Sequence, residues 1–291
     1  MLRPGLLSVA VCLGGLGIPS VLGAQQAQVV VVQTAIGQEE VDRLIEVLRI
    51  DDVVGVMRLE GLDYGTQMQQ ELFPGNGNAS WSEIVALIYD PATMRKRFAA
   101  ALQAELTPHP GALDATIRYF DTPVGQRILS LEVEARRSLL DPAVEDAAKA
   151  RVEDMTAESD PRLDLLAEFA RINDLTEANV SGALNANLAF FQGLAEVGAL
   201  AEDMTEEQML NDVWSQEAEI RAETEGWLYP YLALAYGPLS EAEMQGYLAF
   251  SASAEGQTLN VALFAAFDAV FTAISRDLGR AAARQMLGQD I

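Results

Sequence analysis

One decapeptide occurs twice in this chain. Tyr119-Phe-Asp-Thr-Pro-Val-Gly-Gln-Arg-Ile128 returns, degraded, as Phe250-Ser-Ala-Ser-Ala-Glu-Gly-Gln-Thr-Leu259. A constant offset of 131 pairs Leu113 with Met244, Ile117 with Leu248, Gly125 with Gly256 and Gln126 with Gln257. Further upstream, Leu44 to Val53 aligns with Leu166 to Leu175 at an offset of 122, which pairs Arg49 with Arg171, Ile50 with Ile172 and Asp52 with Asp174. Positions kept in both stretches are mostly apolar, capping or glycine residues, whereas most charged positions differ. The pattern predicts a tandem duplication of one helical unit, with extra residues in the second inserted between helices, where connections lengthen at little thermodynamic cost. It constrains architecture and names no chemistry.

Helical periodicity dominates the rest. Val41, Leu44, Ile45 and Leu48 fall at i, i+3, i+4 and i+7, the spacing of one buried helix face. Pro74 to Ser80 reads as a loop by its Gly and Asn content, with Ser82 as a cap for the next helix. Asp90-Pro91 restarts a helix that runs to about Leu106, and Thr107-Pro-His-Pro-Gly111 ends it. Thr205 to Gln208 and Ser240 to Glu243 both fit the capping box. No segment alternates apolar and polar residues over the length that a sheet requires. The expected fold is all-α, two tandem related helical bundles over residues 39–141 and 161–291, joined by a linking helix over 142–160.

Inside the decapeptide, Thr122 and Ser253 are N-cap residues, Pro123 is a first helical residue, and Gly125 and Gly256 fall near the third. Glycine there costs about 0.5–1 kcal/mol against alanine, so its recurrence predicts that a neighbouring backbone or ring approaches closely, the aromatic Tyr119 or Phe250 being the candidate. The residues Tyr119, Phe120, Thr122, Pro123, Gly125 and Gln126, followed by Arg127 and Ile128, resemble the F-Y-x-S-P-x-G-[KQ]-[KR]-[LIV] signature of the domain of unknown function 2059 family, small helical domains of exported bacterial proteins. The second set, Phe250, Ser253, Gly256 and Gln257, departs from it at Ser251 and Ala254. The resemblance implies a helical domain and carries no catalytic residue across.

Residues 1–24 read as a secretory signal peptide: Arg3, then an apolar stretch from Leu6 to about Ile18, then small residues ending at Ala24. That stretch is shorter than the about 20 residues of a membrane span, so cleavage is expected to leave no stable span, while an uncleaved leader would act as an anchor. Residues 25–38 are expected to form a flexible mature N-terminus, and the location to be periplasmic or secreted in a bacterium. The only cysteine, Cys12, lies in the leader, so the exported chain has no disulfide, thiolate metal site or cysteine nucleophile. A formal net charge of −24 makes nucleic acid an unsuitable partner. The basic clusters Arg95-Lys96-Arg97 and Arg136-Arg137 read as solvated helix faces.

The search for chemistry yields little. His109, the sole histidine, sits between prolines in a turn and lacks sequence partners for a triad or a metal site. No phosphate-binding glycine loop, nucleophile elbow or zinc motif occurs, so no cofactor, metal or catalytic residue is expected. Glu132 and Glu134 are the first suspects for a carboxylate acid–base pair, set against an ordinary surface pairing of Glu132 with Arg136. The acidic stretch from Glu196 to Glu225 reads as a solvated face. Arg49 with Asp52, and Arg171 with Asp174, read as a recurring ion pair that anchors helices. The expected function is that of a non-catalytic envelope protein binding an unknown protein or apolar ligand through a groove between its units, with aromatic surface from Trp214, Trp227, Tyr229, Tyr231 and Tyr236. The alternatives are a carboxylate-dependent hydrolase of envelope polysaccharide and a carrier of an apolar ligand.

Overall fold

The computed structural model describes residues 36–73, 79–200 and 204–288. Among them are thirteen helices and no strand. The expected signal peptide lies outside the described residues, as does the loop through Asn78. In the first half α1 spans Gln38–Val47, α2 Ile50–Leu72, α3 Ala79–Ile88, α4 Pro91–Leu106, α5 Pro110–Phe120 and α6 Pro123–Ser138. Helix α7, Pro142–Ala157, follows. The second half runs α8 Arg162–Ile172, α9 Leu175–Val197, α10 Glu206–Trp214, α11 Glu217–Tyr236, α12 Glu241–Ser251 and α13 Ala254–Met286.

Boundaries follow local chemistry. Asp90 and Asp141 accept backbone N–H groups at the starts of α4 and α7, and in each case proline follows as the first helical residue, whose absent N–H costs nothing there. Thr205 and Ser240 close the expected capping boxes. Ser82 is not a cap, because α3 already begins at Ala79. The start of α1 is held more firmly than a flexible N-terminus implies: Ile36 is buried, and its carbonyl accepts from the Gln103 amide at 2.7 Å.

Local features recur between the halves. Helices α2 and α9 each have 23 residues and each follows a short helix through one left-handed residue, Arg49 at φ 55° and Asp174 at φ 48°. Those two positions lie 125 apart, so the upstream offset of 122 pairs residues about one helical turn out of step. The expected duplicated ion pair fails for that reason. Arg49 bonds Asp52 at 2.8 Å, while Arg171 and Asp174 form no such pair.

The halves end differently. Helix α6 stops at Ser138, and Asp141-Pro142 starts α7 in a new direction. At the 131 offset the corresponding residues are Thr272 and Ala273, where no proline intervenes, and α13 continues unbroken for 33 residues in all. Helix α7 lies against α11, and α13 lies against α9 and α4. The α9–α13 contact is backbone to backbone: a Cβ on Gly193 would lie 2.2 Å from the Arg276 carbonyl oxygen, and one on Gly279 2.2 Å from that of Phe190. Separate interiors were expected for the two bundles. Instead one continuous apolar core runs from Leu44 and Met57 through Phe98, stacked on Phe267 at 4.7 Å, to Leu278. A small satellite of Val180, Leu184, Val213 and Ile220 lies beneath α10.

Candidate functional site

The decapeptide residues build a structural clasp in each half. The Thr122 hydroxyl accepts the Gly125 N–H at 3.0 Å and donates to the Tyr119 carbonyl at 2.7 Å; the Ser253 hydroxyl does the same with Gly256 at 3.0 Å and Phe250 at 2.6 Å. Pro123 opens α6, as expected. The glycines are required by the backbone, since a Cβ on Gly125 would meet the Tyr119 oxygen and the Phe120 Cα at 2.5 Å, and one on Gly256 would meet the Phe250 oxygen at 2.1 Å. Gln126 then gives its amide to the carbonyls of Val47 and Phe120, at 2.7 and 2.9 Å. Gln257 does likewise to Ile172 and Ser251, at 3.0 and 2.7 Å. Each glutamine thereby satisfies an end-of-helix carbonyl of α1 or α8 and one of α5 or α12. These side chains hold the fold and leave no group free for chemistry.

The two halves meet at the aromatic just before each clasp. Tyr119 and Phe250, which correspond at the 131 offset, stack with centroids 4.2 Å apart and planes 10° apart. Phe120, Phe169, Tyr236 and Tyr247 pack edge-on or tilted around them. Glu132 of α6 enters this seam. Its Oε1 accepts the Tyr236 hydroxyl of α11 at 2.8 Å and the Tyr247 hydroxyl of α12 at 3.0 Å. Both tyrosines are fully buried, whereas Glu132 as a residue is half-buried. Burial pushes the Glu132 carboxyl up to about 7, with donation from the two hydroxyls pulling the other way. Burial, reinforced by the charge of Glu132, pushes Tyr119 up to about 12.

The expected Glu132–Arg136 surface pair is absent, and Arg136 is not solvated. Its guanidinium forms a two-pronged pair with Glu60 of α2, both contacts at 2.7 Å, and only 6% of the side chain is exposed. Burial works against that charge, and the Glu60 carboxylate outweighs it and holds the pKa above the ordinary value. Glu134 is exposed and accepts from Ser130 at 3.2 Å, so the two suspected carboxylates face different ways. In the other basic cluster Arg95 pairs with Asp42 at 2.9 Å and Asp51 at 3.1 Å, and Arg97 with Asp277 at 3.3 Å. In the acidic stretch, Arg221 binds Glu217 on its own helix and Glu177 of α9. His109 is exposed at the start of α5.

Tyr236 and Tyr247 were not linked to Glu132 by sequence, because more than 100 residues separate them from it. A signal was nonetheless present: Ile128, Glu132 and Arg136 lie one turn apart on the buried stripe of α6, and charged residues on an apolar stripe require partners from elsewhere. Of the five rings expected to offer surface, Tyr231 and Tyr236 belong to the core, Trp227 stacks on Tyr231 at 5.0 Å, and Trp214 is 62% exposed.

Tyr229 lines an open groove of about 580 Å³ between α7, α8 and α11. Val152, Leu163, Ala167 and Pro230 supply its apolar wall, and Lys149, Glu153, Asp164 and Glu225 its charged residues. Pro230 lies inside α11 and has no N–H for the carbonyl of Gly226, which also lines the groove. A second groove, between α4 and α13, carries charges of both signs: Arg97, Arg276 and Arg280 with Asp268 and Asp277. Neither groove is lined by Glu132.

No curated protein and no solved structure matches the chain. Residues 92–154, helix α4 to near the end of α7, match the family model described as an uncharacterized protein conserved in bacteria (DUF2059), which supports the resemblance carried by the first decapeptide.

Proposed function

We propose that this chain is an exported, non-catalytic binding protein of a bacterial cell envelope, formed by doubling of a six-helix unit and directed outward by residues 1–24. Support for the doubling comes from the paired clasps, the paired left-handed residues and the matching order of α1–α6 and α8–α13. The observation that carries the binding reading is the groove between α7, α8 and α11. Its volume falls within the range of small-molecule sites, and its mix of an apolar wall with a few polar groups is their usual composition. A released backbone carbonyl at Gly226 supplies an acceptor for orienting an apolar ligand or an apolar side chain of an envelope protein.

The test is recovery of the mature protein from its own envelope, with mass spectrometry of what accompanies it, beside an Ala167→Trp variant that fills the groove. A species retained at several salt concentrations by the parent and lost by the variant is the expected outcome. A blank recovery, or equal retention by both, overturns the reading.

One observation favours the hydrolase alternative: Glu132 has the raised carboxyl pKa that a general acid requires. Its hydroxyl partners are buried core tyrosines, and the described grooves do not reach it. Loss of polysaccharide hydrolysis in Glu132→Gln, with the fold intact, would establish that alternative, and absence of hydrolysis by the parent protein would end it.

A further inference from the structure

We propose that Glu132 is a proton-operated latch between the two halves, closed when its carboxyl is neutral and loosened when it ionises. The geometry is that of a carboxylic acid. Both tyrosine hydroxyls donate to the same oxygen, Oε1, which uses its two lone pairs, and Oε2 has no hydrogen-bond partner and is left to carry the proton. One side chain of α6 thus ties α11 and α12 to the first half.

No cation faces this carboxyl. From its own helix the nearest guanidinium one turn on is Arg136, and that is committed to Glu60 of α2. From α11 come Tyr236 and, beside Arg136, Tyr231; from α12 comes Tyr247; from α5 comes Tyr119; from α8 comes Phe169, which does not titrate. Arg127 of α6 is held by Glu243 and the Pro238 carbonyl, and Arg162 of α8 by the carbonyls of Tyr236, Gly237 and Leu239. An ionised Glu132 therefore rests on hydroxyl dipoles alone, inside a ring of aromatic faces. Since the residue is half-buried, its proton has a route to water.

The sign of the effect follows from proton binding. A carboxyl whose folded pKa is raised above its unfolded value contributes stability that is full below the unfolded pKa, about 4.5, and is lost as pH rises through the folded value, about 7. Acid closes the latch and alkali weakens it.

The experiment compares thermal melting of the full chain, Glu132→Gln and Tyr236→Phe between about pH 5 and about pH 9. The glutamine variant keeps the neutral acceptor and cannot ionise. It should melt close to the parent at the acid end and several degrees above it at the alkaline end. Difference infrared spectroscopy reads the latch directly: a protonated-carboxyl carbonyl band should titrate away near neutrality in the parent and be missing from Glu132→Gln. Removing one donor in Tyr236→Phe should move that midpoint upward by about one pH unit. Parallel melting profiles for parent and Glu132→Gln overturn the proposal. So does a carboxyl band in the parent that is already gone at ordinary carboxylate pH. The infrared titration of the parent and of Tyr236→Phe decides the matter even where the glutamine variant does not fold.

Discussion

Gly125 and Gly182 are both helical glycines, and they should respond in opposite ways to alanine. At Gly125 the new methyl would meet the Tyr119 oxygen and the Phe120 Cα at 2.5 Å, so the turn between α5 and α6 must shift, at a cost of about 2 kcal/mol. At Gly182 nothing lies within 4 Å, and alanine should stabilise α9 by about 0.5–1 kcal/mol. Urea denaturation of the two variants checks both signs. At Arg136, replacement by Met alone leaves Glu60 buried and unpaired and should cost about 3–5 kcal/mol, while Arg136→Met with Glu60→Leu should recover most of that loss. A double-mutant cycle measures the difference. At this scale the sequence was readable where a residue acts on its own neighbours: the Thr122 cap, Pro123 and the crowded Gly125 are all local. Glu132 was unreadable because its partners come from α11 and α12, and because Arg136, the local partner expected for it, is taken by Glu60 of α2.

Among elements, the divergence of the two halves traces to a single proline. Pro142 turns α7 back on α11, whereas Ala273 at the same offset lets α13 run through to α4. Ala273→Pro should break α13 in its middle and cost about 3 kcal/mol or more, seen as a lower urea midpoint and loss of helical circular dichroism. Helix starts at Pro91, Pro123 and Pro142 were legible from proline and a preceding cap residue. The register of α1–α2 against α8–α9 was not. Arg49, Ile50 and Asp52 match Arg171, Ile172 and Asp174 by identity, yet the backbone aligns Arg49 with Asp174, because what recurs is a left-handed joint that each half fills with a different residue. The joint has no fixed amino acid, so comparison of letters slides past it by about a turn.

For the whole molecule, the continuous core predicts one cooperative transition in calorimetry, with calorimetric and van't Hoff enthalpies in agreement, and two resolved transitions would contradict it. The formal charge of −24 predicts that melting temperature rises as sodium chloride is added from about 0.01 M to about 0.15 M, because screening relieves self-repulsion of the compact state. The all-helical class was evident from periodicity, but the merging of two interiors was not, since an apolar face does not say which helix will cover it. Helix α13 covers faces in both halves, and every other described helix precedes it in the chain. Synthesis from the N-terminus therefore delivers α4 and α9 long before the rod against which they lie. Until that rod arrives their apolar faces have no native cover, which leaves the nascent polypeptide pliant for translocation and in need of a holding chaperone.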